Sequence, residues 1–281
     1  MKAIWNLLRL EHGIMYGIGV IIGIYISSPH YSNIINILLG FLAAVFLQAS
    51  AFALNDYLDY EVDLANKRFD RPLVRGDLSR KTALLLALIL LPFGFIASAL
   101  ISLNAFLLAL IITALGYLYN IKLKEFGFAG NVYIALSMAT PFIFGSVVAT
   151  NQITPSSILL SIIAFLSGLG REVMKGIEDV EGDALRNIKS IARIKGPAFA
   201  SKVAAFFIVV AVLISPVPFL CLKQYYMDPK YAIPVAITDV ILIYVALNLI
   251  KFYEREKIKK YRKETLIAMI FGLFGFLIGA F

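Results

Sequence analysis

A single cysteine and two histidines in 281 residues leave few soft metal ligands in this chain. Cys221 alone excludes an internal disulfide and any cysteine-based metal site. His12 and His30 are too few and too widely spaced to build a histidine site. Cys221 reads as a packing residue, and His12 as a side chain at a membrane surface. Charge is also scarce, at 16% of residues, and no stretch has the composition of a linker. Such a chain cannot cover itself with an ordinary water-facing surface, and it shows no seam between separate domains. The net charge is +8, but nothing in its distribution points to nucleic acid.

Apolar residues are plentiful, at 60% of the chain with a mean hydropathy of +0.84. This composition is that of an integral membrane protein. Apolar runs lie near residues 13–27, 34–54, 82–101, 105–118, 128–149, 158–170, 198–222, 232–250 and 265–281. Most suit a spanning helix of about 17–25 residues. The runs at 105–118 and 158–170 are short and are expected to continue as helix into the polar segments that follow. The reading is an all-α polytopic protein with nine transmembrane helices in one bundle, around a central cavity open to the cytoplasmic side.

The basic residues support that count. Nine crossings place 24 of the 26 Lys and Arg on one side and only Lys223 and Lys230 on the other. Basic loops stay in the cytoplasm, so the crowded side is the cytoplasmic one. No cleavable signal peptide is expected, because the first apolar run lacks a small-residue cleavage site and a second follows directly.

Two acidic clusters interrupt this pattern. NDYLDYEVD at 55–63 closes the second apolar run, and IEDVEGD at 177–183 closes the sixth. Each ends an even-numbered helix, and a basic loop follows each. The echo suggests one domain over 1–281, built as a pseudo-repeat of helices 1–4 and 5–8 plus helix 9. In the first cluster Asn55, Asp59 and Asp63 recur every four residues and Asp56 lies three before Asp59, so a helix places them on one face. Like charges at that spacing cost an isolated helix about 0.2–0.5 kcal/mol per pair. A hard cation such as Mg²⁺, sharing carboxylate and phosphate oxygens, would offset this. In the second cluster Asp179 and Asp183 repeat the spacing, and Arg171, Lys175 and Asp179 form a longer stripe. Glu172 and Glu178 read equally well as surface charge, and Glu181 reads first as surface charge.

Cations stand beside both clusters. Lys67, Arg68, Arg71 and Arg75 follow the first directly, with Pro72 and Gly76 marking a turn suited to a lid. Guanidinium and ammonium groups there would bind diphosphate oxygens. Tyr117, Tyr119, Asn120, Lys122 and Lys124 add polar groups after the fourth run. Asp239 falls inside the eighth run, where an ionisable group is expensive, and a structural pairing with Thr238 or with a polar group on a neighbouring helix is expected ahead of a catalytic role. The segment 255–263 is basic and would attract anionic lipid.

NDYLDYEVD with NKRFDRPLVRGDLS, then YLYNIKLK, then REVMKGIEDVEGD with NIKSIA, resembles the UbiA superfamily of intramembrane prenyltransferases, and within it the archaeal digeranylgeranylglyceryl phosphate synthases. The resemblance spans nearly the whole chain. It implies two Mg²⁺ ions, a prenyl diphosphate donor, a lipidic glyceryl phosphate acceptor and a lateral opening for lipid substrates. Carried over by position, Asn55, Asp56, Asp59, Asp63, Asp179 and Asp183 would serve metal and diphosphate. Lys67, Arg68, Arg71, Lys122, Lys175 and Lys189 would be cationic contacts, with Tyr119 and Arg171 as further substrate-binding candidates. Gly176 departs from the pattern, since many members carry an acidic residue there. Acceptor choice stays open between the glyceryl phosphate and an aromatic acceptor such as 4-hydroxybenzoate or a naphthoate. A cation-coupled transporter would not need the arginine-rich loops, and the Asp-Gly-x-x-Ala-Arg core of CDP-alcohol phosphotransferases is absent. No required protein partner is evident.

Overall fold

Several of the long apolar runs begin at a side chain that satisfies an otherwise loose backbone N–H. Asn33, Ser79, Ser102, Thr154 and Asp228 each accept a hydrogen bond from an amide two or three residues ahead. Such caps fix where helices start, a choice hydropathy alone leaves loose. The computed structural model describes residues 2–185 and 188–281; Asn187, the first residue of the NIKSIA segment, lies outside them.

Among the described residues there are fourteen α-helices and no strand. They are α1 (Lys2–Leu8), α2 (Leu10–Ser27), α3 (Ile34–Ala65), α4 (Pro72–Arg75), α5 (Arg80–Ile101), α6 (Leu103–Ile121), α7 (Phe128–Thr150), α8 (Pro155–Glu178), α9 (Val180–Leu185), α10 (Ile191–Lys195), α11 (Pro197–Ile214), α12 (Val217–Cys221), α13 (Pro229–Lys251) and α14 (Arg255–Ile278). Eight segments are long and apolar enough to cross a membrane: α2, α3, α5, α6, α7, α8, α11 together with α12, and α13. The protein is thus a multi-pass membrane protein, and α6 and α8 do run on into the polar segments after them. The expected ninth crossing is not among the eight. Helix α14 spends Arg255 to Glu264 on a charged segment, which leaves only residues 265–278 apolar. Helix α5 shows how the outside is solvated. Leu85, Leu88, Ile89, Phe93, Ile96 and Leu100 form an exposed apolar stripe at helical spacing, suited to lipid and not to water.

The chain divides into two compact units. The first comprises Met1–Leu123 with Pro141–Ile153. Its helices approach through small residues. A Cβ at Gly145 would lie 2.2 Å from the Val20 carbonyl oxygen, and one at Gly23 would lie 2.5 Å from that of Phe142, so α2 and the end of α7 touch backbone to backbone. Gly145→Val is therefore expected to destabilise the protein by about 1–3 kcal/mol, read as a lower unfolding temperature in detergent. An unchanged temperature would show that this contact does not carry the packing. The buried Ser50 is matched: its Oγ donates to the Ala87 carbonyl at 2.8 Å and lies 2.8 Å from the Tyr117 hydroxyl.

The second unit comprises Lys124–Thr140 with Thr154–Phe281. Val173, Met174 and Ile177 of α8 pack with Ala204 and Ile208 of α11, Val245 and Leu249 of α13, and Ile258 and Tyr261 of α14. Thr238 donates to the Ala268 carbonyl at 2.8 Å, tying α13 to α14. Asp239 finds its partner on a neighbouring element, accepting from Ser215 Oγ at 2.6 Å just past α11. The Tyr231 hydroxyl donates to the Ser215 carbonyl at 2.6 Å, which makes Asp239 part of a structural clasp. Cys221, expected to be packed, is exposed. Pro216 and Pro218 interrupt the apolar run there, so α12 is a separate short helix and its end is left outside the core.

Candidate active site

In the first unit α3 continues as helix through the whole acidic run and ends at Asn66 and Lys67, the latter in the left-handed region at φ 52°. Asn55, Asp56, Asp59 and Asp63 share one broad face, an arc of about 100°, but burial differs across it. Asn55 and Asp59 lie toward the open edge: the Asn55 amide donates to Asp59 Oδ2 at 3.0 Å and to Asn120 Oδ1 at 3.2 Å, and both residues stay partly exposed. Asn120 is buried and in turn donates to the Ala51 carbonyl at 3.1 Å. With its NH₂ group committed, Asn55 keeps a carbonyl oxygen for a ligand.

Asp56 and Asp63, seven residues apart, lie toward the buried edge and are 2% and 4% exposed. Asp56 Oδ1 accepts from Arg9 at 2.9 Å and from Arg71 at 3.0 Å, while Arg71 Nε stands 3.6 Å from Asp63 Oδ2. The Asp56 carboxylate is thus an anchor for two guanidinium groups. Its Oδ2 is buried without a partner. Arg9 carried no signal in the sequence beyond its charge. It sits between α1 and α2 in the left-handed region, at φ 44°, a turn that aims it at a residue 47 positions away, with its guanidinium 4.3 Å over the Phe52 ring.

The segment after α3 is anchored by packing. Pro72 and Leu73 are buried, Leu73 packing with Leu7, Leu8, Ala49 and Ala53. Arg68 makes two 2.8 Å bonds to Asp70. That guanidinium holds the Asp70 carboxyl below its ordinary range. Lys67 and Lys122 are exposed, and Tyr119 is partly exposed.

In the second unit Asp179 caps the end of α8 and Asp183 lies within α9, both partly exposed. Glu172, for which the sequence left surface charge and a site role equally open, is 6% exposed, and Arg171 and Lys175 each stand 3.8 Å from one of its oxygens. Glu178 pairs with Arg262 of α14, a contact across 84 residues of sequence that only the fold reveals. Glu181 and Lys189 are exposed. Lys189 is placed by its backbone, whose N–H donates to the Glu125 carbonyl at 3.4 Å beside Gly127. A Cβ at Gly127 would lie 1.8 Å from the Lys189 carbonyl oxygen, so only glycine fits. Gly176 faces Ser190, whose buried hydroxyl has no partner.

Among the described residues no three carboxylates, histidines or cysteines gather into a ready-made metal cage. The available donors are oxygen atoms, one or two to a place. That is what Mg²⁺ takes from proteins when phosphate oxygens and water complete its octahedron, so the donor set fits the ion.

Comparison with known proteins gives the arrangement a lineage. Residues 17–278 match the UbiA prenyltransferase family. A digeranylgeranylglyceryl phosphate synthase of Archaeoglobus fulgidus is 61% identical over 281 residues, covering 100% of this chain and 96% of that one. The synthase of that name from Saccharolobus solfataricus is 30% identical over 285 residues, covering 100% and 97%. A solved digeranylgeranylglyceryl phosphate synthase superposes with a TM-score of 0.85 at 33% identity, covering 99% of this chain and 98% of its own. A UbiA homolog from Archaeoglobus fulgidus, solved with DMAPP and Mg²⁺, superposes with a TM-score of 0.67 at 21% identity over 96% and 97% of the two chains, a likeness of fold. Matched nearly from end to end, with its two acidic clusters at helix ends, the chain belongs to the UbiA prenyltransferase family.

Proposed function

We propose that the protein transfers a geranylgeranyl group from geranylgeranyl diphosphate to the free hydroxyl of geranylgeranylglyceryl phosphate, releasing diphosphate and forming the second ether of an archaeal membrane lipid. The observation that carries the acceptor is the 61% identity, over the full chain, to a digeranylgeranylglyceryl phosphate synthase. The donor is supported by the acidic residues and their cations, and by relatives of the same fold solved with prenyl diphosphates and Mg²⁺.

In this reading Asn55, Asp59, Asp63, Asp179 and Asp183 hold two Mg²⁺ ions together with the diphosphate, and Lys67, Lys122 and Lys189 neutralise its remaining charge. Mg²⁺, when bound, neutralises charge on the departing diphosphate. Reaction begins as the allylic carbon–oxygen bond breaks, its electron pair leaving with diphosphate and its carbon becoming cationic. Lysine and arginine side chains set beforehand around the leaving group stabilise that charge separation. The acceptor oxygen then bonds to the carbon and loses its proton to the released diphosphate. No strong base is needed. Helices that exclude water keep the cation from being captured as free prenyl alcohol. Asp56 acts at one remove, by holding Arg71. The active site faces the cytoplasm, with α14 as a ninth crossing that places both acidic clusters on the basic side.

The test is a product assay on purified protein in detergent with Mg²⁺ and geranylgeranyl diphosphate, offering geranylgeranylglyceryl phosphate and 4-hydroxybenzoate separately. Product from the glyceryl phosphate alone, abolished by EDTA, is expected. Product from the phenol alone would move the enzyme to quinone chemistry, and no product from either would overturn the reading.

A further inference from the structure

Arg171 is a guanidinium without a hydrogen bond. Its side chain is 20% exposed, the nearest carboxylate oxygen belongs to Glu172 at 3.8 Å, and its Nε is buried without a partner. Five N–H donors in a fixed fork are ordinarily satisfied, and each one buried unpaired is costly. Glu172 offers no cure. It lies almost wholly buried, and its other cation, Lys175, is also 3.8 Å away. From α14, Arg262 reaches Glu178 and leaves its own Nε buried without a partner. Arg171, Lys175 and Glu178 fall at i, i+4 and i+7 of α8, on one face, and Arg262 meets that face. Two half-buried guanidinium groups with unused donors, and an exposed ammonium beside them, suit a tetrahedral oxyanion.

Two substrate groups have that chemistry, the donor diphosphate and the acceptor phosphate. Asp179, assigned above to the diphosphate, lies eight residues beyond Arg171, about 12 Å along the helix axis. That is longer than one diphosphate group. We infer that Arg171, flanked by Lys175 and Arg262, binds the phosphate of the acceptor and makes the enzyme specific for a phosphorylated glyceryl ether. The inference rests on the proposed reaction and adds to it the residues that read the acceptor headgroup.

Steady-state kinetics on Arg171→Gln, Arg171→Lys and the double variant R171Q/E172Q test it, the last relieving a buried carboxylate of its missing cation. Donor and acceptor are varied separately, and geranylgeranylglycerol is offered as the dephosphorylated acceptor. The expected result is an acceptor KM raised about ten- to a hundredfold in Arg171→Gln and in the double variant, with the donor KM within about twofold. Arg171→Lys should recover part of the loss, and preference for the phosphorylated acceptor should collapse. A raised donor KM with an unchanged acceptor KM would assign Arg171 to the diphosphate and overturn the inference, as would no change in either. Failure of the parent reaction looks different, since the wild-type protein would then not alkylate the glyceryl phosphate at all.

Discussion

Asp59→Ala and Asp183→Ala should each lower Mg²⁺-dependent turnover by at least about a thousandfold while the protein remains folded and membrane-inserted. The loss corresponds to about 4 kcal/mol of transition-state stabilisation, within what a charge-neutralising metal supplies. Folding should be spared because both side chains are partly exposed and neither belongs to an apolar core. Turnover by LC–MS, beside the unfolding temperature, checks both halves of this expectation. Near-normal turnover in either variant would remove that residue from the metal and diphosphate set.

Asp56→Ala should do the opposite in order of severity, losing stability first. Its carboxylate is 2% exposed and carries Arg9 and Arg71, whose side chains are 21% and 19% exposed. Removing the anion leaves two mostly buried cations facing each other. Breaking such an arrangement costs about 3 kcal/mol, so the unfolding temperature should fall clearly. The triple replacement Arg9→Leu, Asp56→Leu, Arg71→Leu removes every charge and should be less unstable than Asp56→Ala alone, though still impaired in turnover. An unchanged unfolding temperature in Asp56→Ala, with turnover gone, would instead place Asp56 among the ligands.

The contrast between Asp56 and Asp59 marks where sequence reasoning reached and where it stopped. Hydropathy located the apolar runs, and the polar extensions of α6 and α8 followed from runs too short to cross unaided. Residue spacing correctly put the first acidic cluster on a helix. It did not tell that Asn55 and Asp59 stay partly exposed while Asp56 and Asp63 are buried, Asp56 against Arg9 and Arg71, because spacing orders residues around an axis and says nothing of what packs against each side. Arg9 and Arg262 were legible only as basic charge, since their partners lie 47 and 84 residues away and are set by tertiary packing. What holds the turn between Pro72 and Gly76 was hidden for a related reason. The turn residues are where they should be, with Gly76 left-handed at φ 81°, but Leu73 between them is buried and pins the segment. The count of nine crossings came from the apolar runs and was supported by charge bias, which weighs loops. Length and apolarity weigh helices, and α14 divides its residues between the two.

The exposed Cys221 gives the protein a built-in reporter. It is the only sulfhydryl in the chain, so an alkylating dye that cannot pass a bilayer has a single address and needs no cysteine-free background. Labelling whole cells against inside-out vesicles would state on which face α12 ends, and with it the orientation of every crossing. The same thiol in purified protein accepts a spin label or fluorophore.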